Sequence, residues 1–215
     1  MKKFIIILLV FTLLIFTSCS FTSLENDNND NEDFVDYIGY CDTPGEVHGV
    51  YVSGSYAYVA DGYCGLRIIN TSNLTEVGFY EPSGYGGYVH AVWVLGNYAY
   101  IAAYDYGLQI FDISDPTNLK EVGHCSIPGY ANNIFISGSY AYVTDGDLRI
   151  IDISNPSNPT EVGYYKTPGS SSDVFVSGNY AYIADGYFTD GYSGGLLIID
   201  ISTPSNPKSV GSFYK

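Results

Sequence analysis

The chain has 215 residues, 46% of them hydrophobic and 16% aromatic, with 23 acidic residues against eight basic ones and a formal net charge of −15 at pH 7. A field of that sign repels phosphate backbones and anionic lipid headgroups, which argues against a nucleic-acid function and against a basic membrane-binding patch. The length left beyond the first few tens of residues suits one domain.

Lys2 and Lys3 precede a largely apolar run from Phe4 to Phe16, which ends in the small polar pair Thr17 and Ser18 before Cys19. Charge, apolar run and small residues in that order form a signal peptide over residues 1–18. The cysteine at the cleavage point resembles a bacterial lipobox, with Phe16 where Leu is usual, and implies a lipidated Cys19. Such acyl chains would be the membrane contact of an exported protein anchored to the cell envelope, on its extracellular or periplasmic face. An ordinary cleaved signal and an uncleaved anchor are the other readings. Residues 19–36 carry six carboxylates and no cation, too little apolar surface to order themselves, and read as a solvated tether.

The domain is therefore expected over residues 37–215. It contains Cys41, Cys64 and Cys125, too few and too scattered for a disulfide framework or a zinc site. Export allows one disulfide, with the pairing open.

Within the domain a unit recurs, aligned on Gly54, Gly96, Gly138 and Gly178 at spacings of 42, 42 and 40 residues. Each unit parses into four strands. The first ("VYV", "VWV", "IFI", "VFV") is apolar on both faces. A glycine hairpin turn follows, and then a strand such as "YAYVA" that sets Tyr on one face and Ala and Val on the other. The third is "LRIIN", "LQIFD", "LRIID" or "LLIID". The fourth is a more polar "EVG" strand that reads as an outer edge. A period near 40 built from short strands predicts an all-β propeller of about four four-stranded blades, because one such sheet cannot bury both faces alone. Residues 36–45, "DYIGYCDTPG", match the outer strand at 160–169, and "SVGSFYK" closes the chain. There is thus one outer strand too many for a closed ring of four. Either one caps the ring, or the propeller is incomplete and self-associates through an outer strand.

The segments "GLRIINTSN", "GLQIFDISDPTN", "LRIIDISNPSNP" and "LLIIDISTPSNP", each followed by a "VG" strand, resemble the LVIVD repeat family of extracellular β-propeller proteins. The resemblance covers residues 37–215 and implies a secreted or surface propeller. It brings no catalytic residue with it.

Candidate site residues fall into three groups. His48 and His90 share one repeat position, two residues before the inner strand, where Asn132 and Ser172 stand in the other units; as a metal site they lack a third protein ligand. The recurrent acids Asp61, Asp145 and Asp185, and Asp112, Asp152 and Asp200 with Asn70, read as turn caps. Asp185 and Asp190 flank an insertion at 185–195 that could hold Ca²⁺, although without EF-hand spacing, and no other cofactor is expected. Loop tyrosines outside the repeat, Tyr85, Tyr88, Tyr104, Tyr106, Tyr187 and Tyr192, are the ligand-binding candidates, since Tyr set among Gly and Ser gives rigid aromatic contact area.

The function read from these features is a lipid-anchored binding or scaffold module for a surface protein or glycan. The alternatives are a carbohydrate-active enzyme, a glycosidase or lyase using rim carboxylates such as Asp105, Asp147, Asp173 and Asp190, and a purely structural envelope protein.

Overall fold

The computed structural model describes residues 3–5, 39–186 and 194–214. Cys19, the tether, Tyr187, Asp190 and Tyr192 lie outside the described residues, and Tyr85 enters only through its backbone. No helix among the described residues is long and apolar enough to cross a membrane.

Four antiparallel sheets of four strands follow one another along the chain. Blade 1 holds β3 (Gly49–Ser53), β4 (Tyr56–Ala60), β5 (Leu66–Asn70) and β6 (Thr75–Tyr80). Blade 2 holds β7 (Ala91–Leu95), β8 (Tyr98–Ala102), β9 (Leu108–Asp112) and β10 (Lys120–Cys125). Blade 3 holds β11 (Asn133–Ser137), β12 (Tyr140–Thr144), β13 (Leu148–Asp152) and β14 (Thr160–Tyr165). Blade 4 holds β15 (Ser171–Ser177), β16 (Tyr180–Asp185), β17 (Gly195–Asp200) and β18 (Lys208–Tyr214). Two short strands stand outside the blades: β1 (Lys3–Ile5) pairs antiparallel with β2 (Tyr40–Asp42), Phe4 opposite Cys41.

The local rules are repeated in every blade. Gly54, Gly96, Gly138 and Gly178 turn the first hairpin with φ between 57° and 60°, the left-handed region that glycine enters without strain. The outer strand slips register beside Val77, Val122, Val162 and Val210, a bulge that bends the edge. Next to each bulge Gly78, Gly123 and Gly163 lie against the carbonyls of Pro116, Pro156 and Pro204 in the following blade, where a Cβ would come within 1.9, 2.1 and 1.8 Å.

Each blade has two unlike faces. The forward face carries the aromatic residue of the inner strand, the paired tyrosines of the second strand, and Leu66 and Ile68 or their counterparts. The backward face carries the inner-strand Val and Ile, the small residues of the second strand, and Phe111, Ile151 or Ile199. Forward meets backward at the three junctions, each a separate core cluster. Burying a Leu or Ile there stabilises by roughly 1.5–3 kcal/mol. Along the inner strands the aromatics form a ladder, Tyr51 to Trp93 at 5.1 Å, Trp93 to Phe135 at 4.5 Å and Phe135 to Phe175 at 5.0 Å between centroids.

The four blades form an open arc. Inner strands pack β3 on β7, β7 on β11 and β11 on β15, and no comparable packing returns β15 to β3. The valines facing backward show the consequence: Val94 is 4% exposed and Val176 6%, whereas Val52 at the same position in blade 1 is 41% exposed. The surplus outer strand is explained as well. Blade 4 keeps its own, β18, while the opening segment lies against the back of blade 1, with Gly39 on Leu74 and with Cys41 and Val47 over Ala57, Val59 and Ile69. It stands where the outer strand of a preceding blade would stand.

Candidate functional site

The loops joining second to third strands and the loops joining consecutive blades share one rim. Three carboxylates stitch it. Asp61 accepts Thr43 Oγ1 at 2.7 Å and the Gly45 N–H at 2.9 Å, Asp145 accepts the Gly129 N–H at 3.2 Å, and Asp185 accepts the Gly169 N–H at 3.0 Å. Buried arginines balance two of them: Arg149 Nε lies 2.9 Å from Asp145, and Arg67 Nε lies 3.7 Å from Asp61 with Glu76 and Glu81 also around its guanidinium. Blade 2 has Ala103 in the acid's place and Gln109 in the arginine's, while blade 4 has Leu197 in the arginine's. Asp112, Asp152 and Asp200 accept the N–H of Ser114, Ser154 and Ser202, and the side chains and N–H groups of these serines together hold the carboxyls below the usual range. Both sets are turn and loop clasps, each acid recurring in three of the four units.

At the junction of blades 1 and 2, the regular loop gives way to the longer "EPSGYGGYVH" (residues 81–90), with a short 3₁₀ turn at Tyr85–Gly87. Tyr106 holds it: its hydroxyl donates to the Ser83 carbonyl and its ring packs into the junction core. The Asp105 N–H donates to the Gly86 carbonyl at 3.0 Å.

That loop delivers Tyr88 into a row of rings. Tyr63 meets Tyr88 edge-on at 4.5 Å, and Tyr88 lies 5.0 Å from His48 and 4.7 Å from His90. His48 and His90 are 5.1 Å apart, His90 lies along Tyr104 at 5.8 Å, and Tyr104 stacks on Tyr130 at 4.0 Å. His48 Nε2 and the Tyr88 hydroxyl share a hydrogen bond. Burial and the neighbouring His48 lower the His90 pKa, and burial raises those of Tyr88 and Tyr104, so all three groups are neutral near pH 7. The row is an aromatic surface on an acidic molecule. Its outer members, Tyr63 and Tyr130, are 60% and 52% exposed.

One backbone position marks this row. Gly62, Tyr104 and Gly146 each bridge to the following junction loop, at Val89, Ala131 and Ser171, and all three have positive φ. Glycine takes that conformation freely; Tyr104 takes it at φ 39° with a full aromatic side chain. Strain of this kind persists where the surroundings impose it, and it often marks a functional position.

The structure thus gathers four of the residues singled out in the sequence, His48, His90, Tyr88 and Tyr104. Tyr106 is a packing residue of the same loop, and Asp185 is 1% exposed in its clasp. Tyr63 and Tyr130 were missed. Tyr130 occupies the same place after the turn glycine as Tyr88, a correspondence already present in "GGYVH" and "PGYAN". No group of three or more His, Cys, Asp or Glu side chains among the described residues is arranged to hold a metal ion, and Cys41, Cys64 and Cys125 are free thiols. Among the acids unique to one unit, Asp147 accepts Tyr164 Oη and the Thr167 N–H, and Asp173 accepts Asn133 Nδ2 and the Val174 N–H. Both serve structure at the junction of blades 3 and 4.

Comparison with solved structures shows the same architecture. A functionally unknown protein from Desulfotomaculum acetoxidans matches with TM-score 0.70 at 15% identity, over 84% of this chain and 60% of its own length. The computationally designed Ika4 protein matches with TM-score 0.58 at 11% identity, over 79% of this chain and 98% of its own. BamB from Moraxella catarrhalis matches with TM-score 0.58 at 15% identity, over 80% of this chain and 51% of its own. The chain therefore spans well under two thirds of the Desulfotomaculum protein and about half of BamB. None of the curated proteins matches. The LVIVD repeat is found four times, at residues 44–81, 86–126, 128–167 and 168–214, and with nearly the whole described domain covered the chain belongs to the LVIVD repeat proteins.

Proposed function

We propose that the protein is an exported binding module, anchored through lipid on Cys19 and held off the membrane by the tether at 19–36, whose rim takes a neutral glycan. The observation carrying this reading is the row of six rings from Tyr63 to Tyr130. Sugar rings offer apolar C–H faces edged with hydroxyls; tyrosine and histidine offer flat apolar faces edged with hydrogen-bonding groups. Tyr88, His90 and Tyr104 are neutral, and the net charge of −15 disfavours anionic polysaccharides.

Glycan-array binding by the protein, repeated with Tyr63→Ala and Tyr130→Ala, tests the site. Neutral glycans should bind and each variant should weaken them by about tenfold, on the order of 1.4 kcal/mol per anchoring aromatic. Binding that is absent, or unaltered in both variants, refutes it. The anchor is tested separately by Cys19→Ala, which should release the protein from membranes or leave an unprocessed precursor. Mature, membrane-bound variant would refute lipidation.

A further inference from the structure

We propose that the open arc is closed by a second copy of this chain, joined head to tail, the forward face of blade 4 docking on the backward face of blade 1. Both faces are apolar; the one on blade 4 is bare, and the one on blade 1 is bare at its inner strand, with Cys41 and Val47 over the strands behind. On blade 4, Phe175 is 59% exposed, Val210 57% and Phe213 67%, and Tyr180 and Leu196 are exposed beside them. These hold the positions that Tyr51, Val77, Tyr80, Tyr56 and Leu66 hold at the first junction, packed against blade 2. On blade 1, Val50 and Val52 are exposed where Val92 and Val94, Ile134 and Ile136, and Val174 and Val176 are buried.

The two ends are therefore the two halves of a contact this chain already makes three times. Phe175 ends the aromatic ladder and Tyr51 begins it, so docking continues the ladder from one copy into the next. Apolar area on this scale marks an interaction surface. Unlike ends make the joint heterologous, and such joints close into rings when the rotation permits. Propellers run from about four to eight blades. Two copies of the four described blades make eight, within that range.

The surplus outer strand fits this closure. β2 sits on the back of blade 1, in the place that an outer strand of the other copy would take. In the ring β18, which carries Val210 and Phe213 of the docking face, takes that place on the other copy, and β2 is the strand that yields.

Sedimentation equilibrium of the full chain in a density-matched non-ionic detergent tests the proposal. The expected mass is that of two chains. Phe175→Asp and Val52→Asp, each at an exposed position, should each give single chains. An equal mixture of the two variants should regain pairs, because one intact forward face then meets one intact backward face. A wild-type mass of one chain, or of more than two, overturns the proposal. So does a mixture that stays single, or association that neither variant disturbs, since the contact would then be an edge or the lipid. Circular dichroism of each variant verifies that its β structure is kept, and the Val52 variant carries the test if the Phe175 variant does not fold.

Discussion

Tyr104 and Tyr130 stack with centroids 4.0 Å apart and planes 4° from parallel, across the junction of blades 2 and 3. The stack requires Tyr104 to hold a left-handed backbone at a position that is glycine in blades 1 and 3. The ordinary ranking of substitutions should therefore reverse. Tyr104→Gly should be more stable than Tyr104→Ala by about 1 kcal/mol, because only glycine is free of the strain. Both should lose about tenfold in glycan affinity. Urea unfolding of the pair reads the first expectation; an alanine variant as stable as the glycine one would show that no strain is held there.

The clasps differ in what they leave behind when broken. Asp61→Ala strips a buried Arg67 of its nearest buried carboxylate and leaves Thr43 and Gly45 without their acceptor. It should cost about 3–5 kcal/mol. Asp185→Ala, in a blade with Leu197 at the arginine position, takes the acceptor from the Gly169 N–H and should cost about 1–3 kcal/mol. Denaturant midpoints at constant m-value compare the two, and equal losses would mean that Arg67 is solvated despite its burial.

Glycines of the outer strands should respond by junction. At Gly163 an added methyl meets the Pro204 carbonyl, so Gly163→Ala should lose about 1–3 kcal/mol through overpacking. At Gly211 the nearest atom is Ile198 Cδ1 of the same blade, 3.9 Å away, so Gly211→Ala should fall within about 0.5 kcal/mol of the parent. Thermal unfolding of both variants measures the contrast.

Acid should loosen the rim through His90. Its folded pKa lies below the ordinary imidazole value, mainly through burial and then through His48, so the unfolded chain binds the proton first as pH falls. The stability that neutral His90 contributes is complete above the unfolded value of about 6.5 and is lost as pH falls toward the folded one. The lowered Asp112, Asp152 and Asp200 act later, their contributions fading only as pH falls through carboxylate values. His90→Asn, which installs the side chain that Asn132 places in blade 3, should flatten the profile between about pH 6.5 and 5. A variant as acid-sensitive as the parent in that range would move the effect to another group.

The blades were legible in the sequence because period-two patterning is dictated by burial on both faces, and a glycine hairpin repeated in register leaves few parses. The surplus strand was legible as a count, but not as a place. Position along the chain does not tell which partner an edge takes, and only the packing of Gly39 on Leu74 puts it behind blade 1. Four of the six rings in the aromatic row were legible in the chain alone, through the irregular "GYGGY" and "AYDYG" loops and the shared place of His48 and His90. Tyr63 and Tyr130 escaped because they stand far apart in sequence and are joined to the row only through Tyr88 and Tyr104, contacts set by how neighbouring blades fan.

The unlike faces make the domain behave as a one-dimensional stack, in which each unit is held only by its neighbours. Blades 2 and 3 each have two junctions and blade 1 has one, with residues 39–48 over part of its back, while blade 4 has one junction and a bare face. In a chain kept single by Val52→Asp, opening should then begin at the C-terminal unit and travel inward like a fraying rope, with amide exchange fastest in β17 and β18 and slowest near β8 and β12.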